Sequence, residues 1–194
     1  MTRIISGFAG SLTLLVPKSG TRPTSDRVRE AIFSALDARD ALTGTRVLDL
    51  YAGSGALGLE AASRGARVVT LVENSFAAAQ LCRKNGDAVK KSEPRRVSEN
   101  QELLTIKVSS QAVTSFLAST PDGFDVVFID PPYDLSDTEL AQNLAALAPL
   151  LADDALVIVE RSSRSPEPVW GSGLELDRRK DYGDTTVWYA SPPA

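Results

Sequence analysis

The feature that most constrains this chain is a regular alternation of short apolar runs with longer segments of helical spacing. Five runs rich in valine, isoleucine and leucine predict strands at residues 47–51, 68–72, 103–108, 124–129 and 155–159. Strands that are apolar at nearly every position are typical of parallel sheets covered by helices on both faces. The alternation therefore predicts an α/β fold built around a mostly parallel sheet.

Three segments between these runs predict helices. Two of them place apolar residues at the intervals of one helix face. These residues are Val28, Ile32, Phe33 and Leu36 in the first segment and Leu140, Leu144, Leu147 and Leu151 in the second. Residues 56–64 are rich in alanine and leucine and predict a third helix. Thr24 or Ser25 is placed to cap the first helix.

Three other segments depart from the alternation. Residues 174–178 and 186–190 are strand-like runs too close together for a crossover helix, so we expect an antiparallel C-terminal hairpin. Residues 1–25, with glycines between two apolar runs, predict a small N-terminal β-hairpin. Residues 85–102 are polar and predict a solvated loop. The 194 residues fit one domain, so we expect 1–194 to fold as a unit with seven strands and 1–25 as its extension.

The composition excludes several kinds of site. The chain has no histidine and a single cysteine, Cys82, which rules out a histidine base, a His/Cys zinc site and an intramolecular disulfide. Cys82 falls in the predicted helix after residue 73, where we expect it to be packed rather than reactive. No run approaches the roughly 20 apolar residues of a membrane span, nor the h-region of a secretory signal. We therefore expect a cytoplasmic protein with no membrane partner.

The net charge of −4 argues against a nucleic-acid partner only until its distribution is considered. Residues 1–30 contain five basic and two acidic side chains, so the acidic excess lies in the rest of the chain. A second basic cluster comprises Arg83, Lys84, Lys90, Lys91, Arg95 and Arg96. Local charge matters more than the total, so RNA binding stays open.

Residues 49–58 form the strongest local motif, in which a predicted buried strand runs through a glycine loop into a helix. Glycines let the backbone approach a ligand, and the helix N-terminus offers unpaired N–H groups. The spacing Gly53-x-Gly55-x-x-Gly58 satisfies the dinucleotide fingerprint, and Glu73 ends the second predicted strand, where a carboxylate can accept ribose hydroxyls. Together they predict a cofactor that contains adenosine, without choosing among such cofactors.

A second motif, Asp130-Pro131-Pro132-Tyr133, follows the fourth predicted strand. Two consecutive prolines stiffen the backbone and remove two N–H donors, so their carbonyls and the Asp130 carboxylate present acceptors only. Such a pocket suits an exocyclic amine, which has two protons to donate. Tyr133 offers a flat face on which a planar base can stack.

At these residues the chain resembles known enzymes. The pair Asp-x-x-Ala-Gly-Ser-Gly and Asp-Pro-Pro-Tyr resembles the class I S-adenosylmethionine-dependent amino-methyltransferases. Two further segments, Arg3-Ile4-Ile5-Ser6-Gly7 and Arg22-Pro23-Thr24-Ser25-Asp26-Arg27-Val28-Arg29-Glu30, resemble the signature of the RsmD family of 16S rRNA guanine-N2 methyltransferases. That family acts on the guanine at position 966. The resemblance covers nearly the whole chain and implies a Rossmann-like class I methyltransferase fold.

The resemblance also implies a set of site residues. S-adenosylmethionine would be the cofactor, with no metal. Its binding residues would be Asp49, Tyr51, Gly53, Ser54, Gly55, Glu73 and Gln111. The three residues 53–55 would cradle its methionine end, while Asp49 orients the loop, Glu73 holds the ribose and Gln111 lies near the adenine.

The substrate side follows from the same resemblance. Asp130 and Pro131 would bind the target amine and Tyr133 would stack on the guanine, which makes these three the catalytic residues. Substrate-binding residues at the mouth of the site would be Arg22, Thr24, Asp26, Arg29 and Pro132. The expected partner is 16S rRNA or the assembling small ribosomal subunit, and the expected enzyme is a monomer. Direct in-line methyl transfer needs positioning rather than a strong base, which suits a chain without histidine.

Several alternatives stay open on the sequence. A DNA adenine-N6 or protein methyltransferase can use a similar tetrapeptide, although protein glutamine methylation typically goes with Asn-Pro-Pro-Tyr. An NAD-dependent oxidoreductase explains the glycine fingerprint and Glu73 but leaves residues 130–133 without a role. A non-catalytic RNA-binding assembly factor on the same fold is the alternative from another class.

Overall fold

The computed structural model describes residues 2–17, 25–94, 103–121 and 123–193. The helices are α1 (Asp26–Asp37), α2 (Ala56–Ser63), α3 (Phe76–Lys91), α4 (Val113–Ser119) and α5 (Asp137–Leu147). The strands are β1 (Arg46–Leu50), β2 (Val68–Val72), β3 (Thr105–Ser109), β4 (Phe124–Ile129), β5 (Leu151–Ser162), β6 (Glu175–Tyr182) and β7 (Thr185–Ser191). No helix within these ranges is both long and apolar enough to cross a bilayer.

The seven strands form one sheet in the order β3-β2-β1-β4-β5-β7-β6. Strands β1 to β5 run parallel, and β7 runs antiparallel to both β5 and β6. The predicted mixed sheet with an antiparallel C-terminal hairpin is therefore confirmed. The chain winds outward from β1 to β3 and then returns to place β4 on the other side of β1. This reversal is the topological switch point at which open α/β sheets bind ligands.

Two apolar cores cover the sheet, one on each face. Helices α1, α2 and α3 pack on the first face, where Phe33 and Phe128 place their ring centroids 5.5 Å apart. Helices α4 and α5 pack on the second face, together with Trp188 of β7. Both faces of the central strands are thus buried, which is why the predicted strands are apolar at nearly every position.

Two predictions about element boundaries were wrong. Leu151 was placed on a helix face, but α5 ends at Leu147 and Leu151 begins β5. Pro149 lies between them in a short 3-10 turn, and proline cannot continue an α-helix. Residues 85–91 were predicted as a solvated loop, but α3 continues to Lys91, and Asn85, Gly86 and Val89 in this part of the helix are buried. Residues 95–102 lie outside the described part of the chain.

The N-terminal arm, defined as residues 2–17, is an irregular hairpin rather than a regular two-stranded ribbon. Arg3 and Thr13 form one antiparallel bridge, and Leu14 N donates to Thr2 O at 2.9 Å. The loop between these ends lies against α2, where the buried Glu60 carboxylate accepts hydrogen bonds from Ile5 N at 2.6 Å and Ser6 N at 3.0 Å. Residues 18–24, and with them part of the predicted extension, lie outside the described ranges.

Gly7 allows the arm to lie directly on the end of α2. Its φ of +80° is in the left-handed region, and a Cβ placed on it would lie 1.9 Å from the backbone oxygen of Ser63. The Ser63 hydroxyl accepts from Ala9 N at 2.9 Å and donates to Ser6 O at 2.6 Å. Only glycine satisfies both the backbone angle and the close approach at this point.

Gly7→Ala is expected to destabilise the docked arm more than Gly44→Ala does. Gly44 is the matched control, since its φ of +76° is similar but a Cβ there would meet nothing within 4 Å. Left-handed strain alone costs about 1–2 kcal/mol, and the clash at Ser63 adds roughly 1–3 kcal/mol at Gly7. Urea unfolding, with amide exchange of the arm, measures both variants. Equal losses would show that the approach to Ser63 contributes nothing.

Candidate functional site

The carboxyl ends of four neighbouring strands place the predicted site segments along one edge of the sheet. Val72 is level with Ser109 on one side and Leu50 on the other, and Leu50 is level with Ile129. The segments that follow these residues therefore lie side by side. In spatial order they are Gln111 after β3, Glu73 after β2, residues 51–55 after β1 and residues 130–133 after β4.

The glycine loop, residues 51–55, has the conformation of a ligand cradle. Gly53 and Gly55 have φ values of +58° and +80°. Gly55 caps α2 without a side-chain hydrogen bond, so the helix N-terminus presents backbone N–H groups. A Cβ on Gly53 would meet only Tyr51 O, at 4.0 Å, and would otherwise project into open space. The loop can therefore accept the small polar end of a cofactor against its backbone.

Glu73 connects the end of β2 to this loop. One carboxylate oxygen accepts from Gly53 N at 2.9 Å and the other accepts from Ser75 N at 2.7 Å. A carboxylate has about four lone-pair positions, so these two bonds orient Glu73 and leave acceptor capacity for hydroxyl groups. This geometry fits the ribose role that the sequence predicts for Glu73.

Asp49 supports the loop from beneath rather than facing a ligand. Its side chain is 1% exposed, and one carboxylate oxygen accepts from Gly58 N at 2.8 Å, which ties the end of β1 to the first turn of α2. The pKa of Asp49 is raised to about 7, mainly by burial; the Gly58 hydrogen bond acts to lower the pKa, and the nearby carboxylates of Asp130 and Glu73 act to raise it. The carboxylates of Glu73 and Asp130 lie near the loop and favour a cationic ligand.

Helix α3 holds the loop from the other side. The Cys82 thiol donates to Gly53 O at 3.2 Å, and the Asn85 amide, one turn later, donates to Ser54 O at 2.8 Å. Burial raises the Cys82 pKa to about 12, with the charges of Asp49 and Glu73 acting in the same direction, so the thiol is unreactive. The predicted packed role of Cys82 is confirmed. Asn85 was missed, because its partners lie 31 and 70 residues away in the chain.

Tyr51 contributes its backbone to the loop while its side chain turns to the opposite core. It has a φ of +63°, and its hydroxyl accepts a hydrogen bond of 2.7 Å from the Asn143 amide on α5. Burial raises the Tyr51 pKa to about 12. The side chain therefore anchors the loop to α5, which differs from the direct cofactor contact expected from the sequence.

The Asp-Pro-Pro-Tyr loop, residues 130–133, rises beside the glycine loop. Pro131 is buried and Pro132 is exposed, while the Tyr133 side chain is 73% exposed and free to contact a large ligand. Pro132 O accepts from Leu135 N at 3.0 Å, which closes a turn directly after the tetrapeptide. The rigid backbone thus presents acceptors and an aromatic face at the switch point.

Arg161 on β5 anchors the far end of this loop, a role that the sequence analysis missed. Its side chain is 7% exposed, and Nη2 donates to Leu135 O at 3.1 Å and to Asp137 Oδ1 at 2.9 Å. The guanidinium therefore joins the loop and the first turn of α5 to the sheet. An isolated arginine at the end of an apolar strand was its only sequence signal.

The remaining predicted residues lie around this centre. Gln111 follows β3 and donates to the Ser109 hydroxyl at 2.9 Å, which leaves its amide oxygen available at the site edge. Ser25, rather than Thr24, caps α1, with its hydroxyl accepting from Val28 N at 3.2 Å. Arg22 and Thr24 lie outside the described residues.

Asp26 and Arg29 occupy different environments at the start of α1. The Asp26 side chain is 58% exposed, whereas the Arg29 side chain is 1% exposed. Arg29 Nη2 donates to Arg3 O at 2.9 Å and to Asp26 Oδ1 at 2.7 Å. The structure therefore places the Arg29 guanidinium between α1 and the N-terminal arm, where it positions Asp26, instead of at the open mouth that the sequence suggested.

The fold and this edge define a Rossmann-like class I methyltransferase architecture. The chain matches the sequence model of the family described as Conserved hypothetical protein 95 over residues 2–191. The chain therefore belongs to that family. This is the RsmD family, and residues 3–7 and 22–30 of the chain resemble its signature.

Individual relatives cover most of the chain. It is 38% identical over 182 residues to ribosomal RNA small subunit methyltransferase D of Escherichia coli. This match covers 93% of this chain and 85% of that protein. It is 31% identical over 186 residues to a putative rRNA methyltransferase of Bacillus subtilis, with 95% and 96% covered. A solved structure of a putative methyltransferase from Escherichia coli superposes with a TM-score of 0.82 at 33% identity, covering 100% of this chain and 98% of that one.

Asp49→Asn is expected to remove a pH-dependent loss of stability. The folded pKa of about 7 lies above the reference value of 3.8, so between these pH values the folded protein retains a proton that the unfolded chain releases. Stability then falls as pH rises, by up to about 1.4 kcal/mol per pH unit, and the loss levels off above the folded pKa. Urea unfolding from pH 4.5 to 7.5 should show that the free energy of unfolding of the variant increases relative to that of the wild type as pH rises.

The control for this experiment is Asp153→Asn, an exposed carboxylate at the start of β5. Its unfolding free energy should follow the wild-type pH profile. A constant difference between Asp49→Asn and the wild type at every pH would contradict the assignment of a raised Asp49 pKa.

Proposed function

We propose that this protein is an rRNA methyltransferase that transfers a methyl group from S-adenosylmethionine to the exocyclic N2 amine of a guanine in 16S rRNA. By family resemblance the target is guanine 966, methylated during maturation of the small ribosomal subunit. The observation that carries the proposal is the meeting of two loops at the switch point, the glycine loop with Glu73 and the acceptor loop 130–133. The names of the relatives from Escherichia coli and Bacillus subtilis support the rRNA substrate.

The residues at the glycine loop fit S-adenosylmethionine. The open space above Gly53 and the N-terminus of α2 would receive the methionine end, and Glu73 would accept hydrogen bonds from the ribose hydroxyls. Gln111, at the end of the neighbouring strand, would approach the adenine. When bound, the cofactor supplies a methyl group on a positively charged sulfonium, a charge that the surrounding carboxylates of Glu73 and Asp130 favour.

The acceptor loop would hold the target amine beside that cradle. Asp130 and Pro131 present oxygen acceptors, and the N2 amine of guanine has two protons to donate to them. Two such hydrogen bonds would draw the amine lone pair out of conjugation and orient it toward the glycine loop. Once methylated, the amine is strongly acidic and releases its proton without a dedicated base, which agrees with the absence of histidine.

Tyr133 and its neighbours would receive the guanine itself. A target base has to leave its stack at a cost of a few kcal/mol, and stacking on an exposed aromatic ring returns about 1–3 kcal/mol. Tyr133 is exposed, as this role requires. Pro132 and Asp26 would border the mouth of the site, and Arg22 and Thr24 precede Asp26 in the chain. We propose that the enzyme acts as a monomer on the RNA or on the assembling particle.

The function is tested by incubating the protein with labelled S-adenosylmethionine and undermodified small-subunit RNA, either naked or in particles. We expect label on the N2 position of one guanine. Label on an adenine N6 would instead identify another kind of amino-methyltransferase. Failure to bind S-adenosylmethionine at millimolar concentration would favour a non-catalytic RNA-binding role.

Asp130→Asn is expected to lower kcat about 100- to 1000-fold, the usual effect of removing one preorganised electrostatic partner. The asparagine removes the negative charge and replaces one of the two carboxylate acceptor oxygens by an N–H donor. Affinity for S-adenosylhomocysteine, measured by calorimetry, should stay within about threefold, because Asp130 belongs to the acceptor loop. Asp134→Asn, an exposed carboxylate four residues later, is the control and should keep wild-type transfer. Near wild-type kcat in Asp130→Asn would overturn the role assigned to Asp130.

A further inference from the structure

The outer side of helix α3 forms a basic surface that begins beside the candidate site. The inner side of the helix is buried against the sheet. The outer side carries three exposed lysines and a half-buried arginine. We define the α3 surface as Phe76, Arg83, Lys84, Asp87, Lys90 and Lys91. These residues follow one side of a helix that is about 24 Å long, because positions three and four apart are neighbours on a helix.

The α3 surface is locally positive on an acidic protein. Helix α3 contains four basic residues and one acidic residue, a net charge of +3, so the other residues sum to −7 within the total of −4. Helix α5, on the opposite face of the sheet, carries Asp137 and Glu139 and no basic residue. A polyanion responds to the local potential rather than to the total charge, so it is attracted to α3 and repelled from α5.

The basic residues of α3 differ from most arginines of the protein in having no carboxylate partner. In the described ranges six other arginines lie within 3.3 Å of a carboxylate oxygen, among them Arg64, Arg67 and Arg161. Across the same ranges no carboxylate forms an ion pair with the four basic side chains of α3. Their charges are therefore available to an external anion.

The helix dipole explains only part of this charge. Lys90 and Lys91 lie in the last turn of α3, where cations stabilise a helix C-terminus. Arg83 and Lys84 lie in the middle of the helix, beyond the reach of that effect. Two cations in mid-helix with no partner within the described residues indicate a surface that meets a negatively charged ligand.

Phe76 lies at the end of the α3 surface that adjoins the glycine loop. Glu73 accepts hydrogen bonds from Gly53 N at 2.9 Å and Ser75 N at 2.7 Å, so the start of α3 is held against the loop. Phe76 is the first residue of the helix and is 70% exposed. An exposed aromatic ring beside a row of cations is the combination that binds unpaired bases together with their phosphates.

Two exposed aromatic residues thus flank the glycine loop. Phe76 follows β2, Tyr133 follows β4, and β1 with the loop lies between these strands. Tyr133 is 73% exposed, similar to Phe76. Neighbouring strands are about 4.8 Å apart, so the two strand ends are roughly 10 Å apart along the edge of the sheet. The edge therefore offers stacking surfaces for two bases, one on each side of the loop.

We propose that the α3 surface binds a single-stranded part of the substrate RNA that flanks the target base. This inference rests on the proposed function. The four cations contact phosphates along the helix, and Phe76 stacks on one unpaired base while Tyr133 receives the target guanine. An RNA strand held in this way reaches the site along a positive surface, although the protein as a whole is acidic.

The role of the cations is tested by the salt dependence of RNA binding. Each phosphate contact to a single strand contributes about 0.7 to the slope of log K against log salt, because it releases counterions. The double variant Lys84→Gln with Lys91→Gln should lower this slope by about 1.4 and weaken binding roughly 10-fold near 0.1 M salt. The measurement is fluorescence anisotropy of labelled, undermodified small-subunit RNA between about 50 and 200 mM salt.

Arg39→Gln with Arg46→Gln is the matched control, since it removes the same charge from two exposed positions outside α3. Arg39 follows α1, and Arg46 begins β1 at the opposite end of that strand from the site. This double variant should keep the wild-type slope. Equal slopes in the two double variants would overturn the phosphate contacts of α3, and this is the result expected if the surface binds an acidic protein instead.

Phe76→Ala should weaken RNA binding about 5- to 150-fold, the effect of losing one base stacked on an aromatic ring, and should leave the salt slope unchanged. Phe76→Trp keeps a stacking face and should retain the wild-type RNA affinity within about threefold. Calorimetry without RNA should show that Phe76→Ala binds S-adenosylhomocysteine within about threefold of the wild type. A loss of cofactor affinity with unchanged RNA affinity would assign the ring to the adenine and overturn its contact with RNA.

The outcomes separate this inference from the proposed function. Failure of the wild-type protein to bind the RNA would overturn the proposed function and this inference together. A wild-type protein that methylates the RNA, while the α3 double variant and Phe76→Ala bind it as tightly as the wild type, would overturn this inference alone.

Discussion

The hydrogen bond from Gly58 N to the buried Asp49 carboxylate is the constraint on which the rest of the site depends. It joins the end of the central strand β1 to the first turn of α2 at 2.8 Å, and so fixes the direction in which the glycine loop leaves the sheet. Since β1 lies between β2 and β4, that direction also determines how the loop meets Glu73 on one side and the acceptor loop on the other. A carboxyl group buried at this point lowers the free energy of unfolding at neutral pH, and the fold nevertheless keeps this group.

Buried polar side chains brace the loops from both faces of the sheet. On one face Cys82 and Asn85 bind consecutive carbonyls of the glycine loop, and on the other Asn143 binds the Tyr51 hydroxyl. Arg161 does the same for the acceptor loop. The loops therefore combine exposed working surfaces with rigid supports, which is what a transfer reaction that relies on positioning requires. The N-terminal arm belongs to this scaffold, because it lies on α2 and ends at Asn85.

The glycine loop, Glu73 and residues 130–133 were recognised in the sequence because each combines a distinctive composition with a place at the end of an apolar strand. Asn85, Asn143 and Arg161 were not, because their contacts join positions 24 to 92 residues apart in the chain. Tyr51 and Arg29 show the same limit. Their motifs placed them near the site, but the side-chain directions that anchor them in the interior depend on α5 and on the arm.

The sequence by itself determined the α/β class, the antiparallel C-terminal hairpin and the identity of the two loops that meet. These follow from local apolar periodicity and from short motifs whose spacing is independent of distant residues. Only the tertiary structure decided the continuation of α3 to Lys91, the docking of the arm on Ser63 and the bracing of the glycine loop by Asn85. Each of these depends on burial and on hydrogen bonds between remote segments, and such partners are defined only when the sheet has assembled.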